Sequence, residues 1–271
     1  MQLEPTGERM IEEFYRSSRE SYLIYLFHVA TYEFARPYVM GHRVLDYGCG
    51  SGYGTHRMTS SCDSIVGVDI AADAIVHAST HYCADNLSYH RIDPVEETPL
   101  PFEDGSFDTV LSFQVIEHIV DPGLYLAEIF RVLKRGGVFI CATPDRSSRL
   151  LPGQKPWNVW HLREYDVKAL DATLASYFPG PELLRMGGDP DVLAIEIRRT
   201  RKLKWLTLPW TLPFVPEAVR VHGLRFLKQL VGQGRDKGSE VLQTFPFDES
   251  SLSISANACP SVNLVAVARK P

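Results

Sequence analysis

The residues best suited to chemistry fall in three places. Gln114-Val-Ile-Glu117-His118 sets a carboxylate beside an imidazole. Further on, Asn158, Trp160, His161, Arg163, Glu164 and Tyr165 crowd one short segment. Histidine can take a proton from a hydroxyl near neutral pH. Aromatic rings stack on sugar faces, while Asn, Arg and Glu hydrogen-bond hydroxyls. His161 is the leading candidate for such a base, with a packing role as its alternative. His118 is the second candidate, its alternative being a structural loop histidine. Glu117, Asn158, Trp160, Arg163 and Tyr165 are the candidate substrate contacts. A metal-assisted route through Asp or Glu is conceivable, but no compact ligand cluster is visible in the sequence, so no metal is expected. The third place is Asp46-Tyr-Gly48-Cys49-Gly50-Ser-Gly52-Tyr-Gly54.

Alternate glycines let the backbone turn sharply and approach a ligand closely. A strand that opens through such a loop into a helix offers N–H groups to a polar or anionic group. The dinucleotide pattern Gly-x-Gly-x-x-Gly fails in both registers, because its last glycine would fall on Tyr53 or Thr55. A ligand-free glycine turn is the other reading. Downstream, Ile65-Val-Gly-Val-Asp69 reads as a second strand ending in a carboxylate, where both ribose hydroxyls can be accepted. Leu87–Ile92 runs into Asp93, and Phe107–Ser112 is a further buried-type strand.

Asp-x-Gly-x-Gly-x-Gly followed by these acids resembles the class I S-adenosylmethionine (SAM) methyltransferases, over roughly residues 40–170. The resemblance implies SAM as cofactor and S-adenosylhomocysteine as product. It places Asp46, Gly48, Cys49, Gly50 and Gly52 around the methionyl part, Asp69 on the ribose, Ile70 beside the adenine and Asp93 on the adenine amino group. Gln114 falls just past the fourth strand. The implied fold is α/β: a Rossmann-like seven-stranded sheet, mostly parallel, with helices on both faces. Its last strand, Val262–Ala268, is expected antiparallel at the sheet edge.

The elements that position these residues are mostly legible. Ser21–Val39 has helical spacing and many aromatics, and Pro37 limits it. Ala71–Ala84 is a second helix. Asp121-Pro122 starts a third with an Asp N-cap and a first-turn proline, and Lys134-Arg135-Gly136 is its expected stop. Gly137–Ala142 is the fifth strand. His28 and Tyr32 lie four apart on one helical face. They either line the SAM pocket or pack on the sheet. Thr6-Gly-Glu-Arg9, His28-x-x-x-Tyr32 and the glycine loop together resemble a branch linked to bacterial glycan and polysaccharide biosynthesis. Asn158-x-x-His161-x-Arg163-Glu164 resembles the same branch, with Trp160 where Phe is usual.

Length and composition agree with one α/β domain carrying an insertion: 271 residues, 45% apolar, 23% charged. A net charge of −5 argues against nucleic-acid partners. Cys49, Cys62, Cys83, Cys141 and Cys259 are odd in number and unpaired by motif, as reduced thiols would be. Polar and acidic residues crowd positions 2–20, so no secretory leader is expected and the protein reads as cytoplasmic. The expected divisions are a helical cap (1–40), a SAM-binding core (41–197), a basic, aromatic insertion (198–250) and a last strand (251–271).

Across 198–237 ten Arg/Lys face only Glu217 and Asp236. Trp205, Leu206, Leu208, Trp210, Leu212, Phe214 and Val215 follow the first cations, broken by Pro209, Pro213 and Pro216. The prolines exclude a transmembrane helix. A lid, a homodimer contact and a peripheral membrane contact are the three readings, the membrane one being the least favoured. The function expected is methyl transfer to a hydroxyl oxygen of a sugar, glycan or other small-molecule acceptor. The alternatives are a C- or N-methyltransferase of a quinone-precursor-like metabolite and a catalytically silent SAM-binding scaffold.

Overall fold

The computed structural model describes residues 15–232 and 244–271, without the side chains of 231 and 232. The Thr6–Arg9 run and Arg235, Asp236 and Lys237 lie outside the described residues. Five strands form the parallel part of the sheet: β1 (Arg43–Tyr47), β2 (Ser64–Asp69), β3 (Leu87–Arg91), β4 (Phe107–Phe113) and β5 (Leu133–Pro144). With β6 (Glu182–Gly188), β7 (Leu252–Ser255) and β8 (Asn263–Arg269), the order is β3-β2-β1-β4-β5-β8-β6-β7. Strand order reverses between β1 and β4, and such a switch point opens a ligand crevice at the carboxyl ends of the strands.

Parallel strands covered on both faces read as near-continuous apolar runs, and β1, β4 and β5 do. Val44, Leu45, Val110, Leu111, Phe139 and Ile140 are all fully buried. One face of the sheet packs against helix α4 (Pro122–Val132) and helix α6 (Val167–Leu174) through Tyr125, Leu126, Ile129, Leu170 and Leu174. The other face takes helix α1 (Arg19–Val39), whose Tyr32, Ala35 and Val39 meet Val44, Ile65 and Leu111. Short helix α2 (Tyr53–Met58) leaves the glycine loop, and α3 (Ala72–His81) follows β2. Asp121 caps α4 as its sequence suggests, accepting from the amides of Gly123 and Leu124.

Four expectations are corrected. The sheet has eight strands rather than seven. Its last strand is antiparallel to β5 but lies inside, between β5 and β6. Buried residues from Asn263 to Ala268 need neighbours on both sides, and β7 takes the edge. Helix α4 stops at Val132, and Lys134-Arg135-Gly136 already belongs to β5, with Gly136 at φ 76°. Between α5 (Arg146–Arg149) and the C-terminal strands, Pro190 starts helix α7 (Pro190–Leu206). That helix runs through the expected 197/198 boundary. Helices α8 (Leu208–Thr211) and α9 (Glu217–Gly232) complete the insertion. Among the described residues no helix is long and apolar enough to cross a membrane.

Candidate active site

The glycine loop turns through Gly48, Gly50 and Gly52 at φ 84°, 53° and 86°. These left-handed values are strained for any residue with a Cβ. A Cβ on Gly48 would also collide with Val115, and one on Gly54 with the ring of Tyr32. The loop is thus wedged between the segment after β4 and helix α1. Asp46, at the end of β1, is 1% exposed. Its Oδ2 accepts the Tyr32 hydroxyl (2.9 Å) and the Thr55 hydroxyl (2.6 Å). Its Oδ1 is buried with no hydrogen-bond partner among the described residues. Burial pushes the Asp46 carboxyl up to about 6, and the charge of Asp69 adds to this, against the lowering effect of the Thr55 and Tyr32 hydrogen bonds. Burial likewise raises the Cys49 thiol well above its usual value, so Cys49 is a small buried residue and not an activated nucleophile.

Asp69 ends β2 with Oδ2 accepting the Gly50 amide (3.0 Å) and Oδ1 the Ala71 amide (2.8 Å). It ties the two loops together at the crevice. Ile70 beside it is 56% exposed, a large apolar side chain left open to a ligand. Asp93, past β3, is exposed and pairs with Arg91 at 3.1 Å. Gln114 adopts φ 58°, a left-handed conformation rare for a residue other than glycine, and its amide donates to Ala142. Such outliers gather at functional sites. Tyr32 is brought to the loop through Asp46. His28, one turn earlier on α1, is half-buried.

The second group of residues assembles by long-range pairing. The segment after β5 folds back so that the Leu162 amide donates to the Glu117 carbonyl (2.9 Å) and the Arg146 amide to the Tyr165 carbonyl (2.9 Å). His118 and His161 meet edge to face, ring centroids 4.9 Å apart. One ligating atom from each of Glu117, His118 and His161 lies within 4.8 Å of the others. The expectation of no compact ligand cluster is thereby corrected, because His161 reaches Glu117 and His118 through the fold and not through spacing. Nδ1 of His161 hydrogen-bonds Glu164 Oε1 (3.1 Å), and Glu164 Oε2 accepts Arg149 Nε (3.1 Å). Burial acts to raise the Glu164 carboxyl, but the Arg149 charge and the His161 hydrogen bond outweigh it and hold it at about 2. Glu117 is fully buried, with Oε2 accepting the Thr143 hydroxyl at 2.9 Å.

Other expected acceptor contacts are used by the loop itself. Arg163 donates to the carbonyls of Ile119 (2.9 Å) and Val120 (3.0 Å). Asn158 Oδ1 accepts the Trp160 amide, and Tyr165 is buried. Trp160, 50% exposed, keeps its ring available. Sequence reasoning missed Thr55, Thr143 and Arg149. Only Thr55 carried a signal, its place in the first turn after the glycines. Arg220, one of the ten Arg/Lys counted across 198–237, is 2% exposed and donates to the carbonyls of Pro156 and Asn158.

Residues 45–141 match the family model of a methyltransferase domain. The chain is 34% identical over 174 residues to a probable S-adenosylmethionine-dependent methyltransferase of Mycolicibacterium smegmatis, covering 62% of each. It is 36% identical over 109 residues to the ubiquinone biosynthesis O-methyltransferase of Maricaulis maris, covering 40% of this chain and 43% of that one. Each match thus spans less than two thirds of the relative. Its fold is that of a SAM-dependent methyltransferase from Thermotoga maritima, with a TM-score of 0.58, 14% identity and 97% of both chains covered. Sheet order, glycine loop and domain match support a class I SAM-dependent methyltransferase, with SAM as its cofactor. The site fits that cofactor: a cradle that a Cβ would fill, and a buried Asp46 oxygen still lacking a donor.

Proposed function

We propose that this chain transfers a methyl group from SAM to a hydroxyl oxygen of a sugar or glycan acceptor. The observation that carries this reading is the buried Arg149–Glu164–His161 chain of hydrogen bonds ending beside Glu117 and His118. Bound SAM supplies a methyl group made strongly electrophilic by a positively charged sulfur. What is left to the protein is orientation, worth several kcal/mol, and relief of the hydroxyl of its proton. Asp46 with Gly48, Cys49, Gly50 and Gly52 would hold the methionyl part, Asp69 the ribose, Ile70 the adenine face and Asp93 its amino group. Tyr32 fixes Asp46 from α1, with His28 one turn away, and Gln114 would flank the transfer path. Activation of the hydroxyl falls to the Glu117–His118–His161 group, with the Glu164 carboxylate fixing the His161 ring. Trp160 offers an open face for stacking, while Asn158, Arg163 and Tyr165 shape the pocket wall.

Labelled SAM with a panel of sugar and glycan acceptors tests the reaction. His161→Ala should lower kcat by at least about 10² while calorimetry shows SAM affinity nearly unchanged. Near-wild-type turnover in both His161→Ala and His118→Ala would refute the assignment of activation to this pocket. A phenolic, quinone-precursor acceptor is the second reading, favoured by the match to the ubiquinone biosynthesis O-methyltransferase. The same acceptor panel separates it from a sugar.

A further inference from the structure

We infer that Glu117, His118 and His161 bind one divalent transition-metal ion, whose open coordination positions receive the acceptor's hydroxyl oxygen. The cation site stands on the geometry alone. The acceptor's part in it rests on the hydroxyl-transfer reading above.

The donor atoms are close enough to gather. Ligand bonds of about 2.1 Å place neighbouring donors roughly 3 to 3.5 Å apart. One donor atom from each of the three residues already lies within 4.8 Å of the others, so a short approach of the side chains completes the set. The imidazoles are also set in the tautomer that metal ligation uses. Metal-bound histidine characteristically donates its other ring N–H to a carboxylate or a backbone carbonyl. Here His161 Nδ1 faces Glu164 Oε1 at 3.1 Å, and His118 Nδ1 faces the Trp160 carbonyl at 3.0 Å. Neither partner can donate, so both Nδ1 atoms carry the proton and Nε2 becomes the ligating nitrogen of each neutral ring. Glu164 is itself locked by Arg149, which gives this arrangement a second layer.

The carboxylate supplies the independent observation. Glu117 is 0% exposed and its Oε2 accepts from Thr143. Oε1 is buried with no hydrogen-bond partner among the described residues. An unpaired buried carboxylate oxygen is costly, and a cation at that point removes the cost. Two imidazoles with one carboxylate suit Mn²⁺, Fe²⁺ or Zn²⁺ better than Mg²⁺ or Ca²⁺, which favour oxygen ligands. Three protein ligands leave positions open, as in catalytic and not structural sites. A hydroxyl bound there loses its proton to solvent water more readily, because the cation stabilises the oxygen anion. Placement agrees, since Val115, two residues before Glu117, seats directly on Gly48 of the glycine loop.

The full chain, stripped with a chelator, should bind one Mn²⁺ by loss of the free-ion EPR signal. Zn²⁺ should displace it, and Mg²⁺ should bind at least about 10-fold more weakly. Glu117→Gln, which can still accept from Thr143, and His118→Ala should each weaken Mn²⁺ binding by at least about 100-fold. Glu164→Gln, acting through His161, should cost about 10- to 100-fold. Calorimetric SAM affinity reports whether each variant is folded. Stripped wild-type protein that takes up neither Mn²⁺ nor Zn²⁺ at millimolar concentration overturns the inference, as does unchanged Mn²⁺ affinity in all three variants. Intact methyl transfer in that event would leave the transfer reading standing, with His161 acting on the hydroxyl directly. Stoichiometric Mn²⁺ binding without transfer to any hydroxyl would support the site and sink the transfer reading instead.

Discussion

Asp46 offers the sharpest quantitative test of the cofactor site. Its carboxyl lies at about 6 in the folded chain, mainly through burial, against about 3.9 in an unfolded one. Between these values the folded state binds more protons than the unfolded state, so stability falls as pH rises through that window and is flat above it. Two units correspond to about 3 kcal/mol. Asp46→Asn removes this dependence while keeping the size of the side chain. The difference in unfolding free energy between wild type and variant should therefore move by about 3 kcal/mol in favour of the variant from pH 4 to pH 7. Carboxylates with lowered values, such as Glu33 and Glu164, act oppositely but cancel in the difference. SAM binding should show the same proton from the other side. A cationic group of the ligand at Oδ1 prefers ionised Asp46, so affinity at pH 5, where about a tenth is ionised, should be about 10-fold weaker than at pH 7. Urea unfolding and calorimetry across pH 4–8 read both effects. A wild-type-minus-variant difference that stays flat over that range would refute the buried-carboxylate account.

Three further outcomes are expected. Asp69→Ala should weaken SAM binding by about 10- to 100-fold, the loss of a charged acceptor worth roughly 1.5–3 kcal/mol, and unchanged calorimetric affinity in a folded variant would count against it. Gly54→Ala drives a methyl into the Tyr32 ring and should cost about 1–3 kcal/mol in denaturant unfolding; wild-type stability would show that α1 is free to retreat. The insertion exposes Trp205, Phe214 and Phe226, whereas Trp210 packs against Gly223, so Trp205 is the residue to replace. As a lid or subunit contact, it should leave the chain unbound in flotation with anionic vesicles, while Trp205→Ser raises the acceptor's KM or shifts the mass on sizing. Salt-sensitive vesicle binding would reverse that expectation.

The cofactor half of the molecule was legible because local rules suffice there. Val44-Leu45 and Ile65–Val68 are apolar runs closed by acids, and the glycines announce their own backbone. Strand β6 was not, since Glu182 and Arg185 interrupt its pattern and Gly187-Gly188 suggests a turn. Those glycines instead allow close approach, as a Cβ on Gly188 would strike the Ser251 carbonyl. The acceptor half depends on chain reversal. No spacing relates His161 to Glu117, whose carbonyl meets the Leu162 amide only once the loop has folded back. Arg149 drew no notice in the sequence, yet it is the buried partner of Glu164. Arg220 was one cation in a basic run, yet it fastens the loop carbonyls from within.

Trp157 gives this arrangement a mechanical side. The guanidinium groups of Arg149 and Arg199 lie over its ring, 4.2 Å and 5.5 Å from the centroid. Arg149 continues through Glu164 to His161, and Arg199 is held by Glu196 on α7. Force applied to the outside of α7 thus has a short route of side chains to the imidazole. Under the transfer proposed above, an acceptor long enough to press on α7 and displace Arg199 would couple its tail to its reacting end. By reciprocity, whatever its reacting end gains or loses at His161 is felt equally at the tail. Chain length and hydroxyl position of such an acceptor would then be weighed as one quantity, even though the residues in contact with them share no backbone neighbourhood.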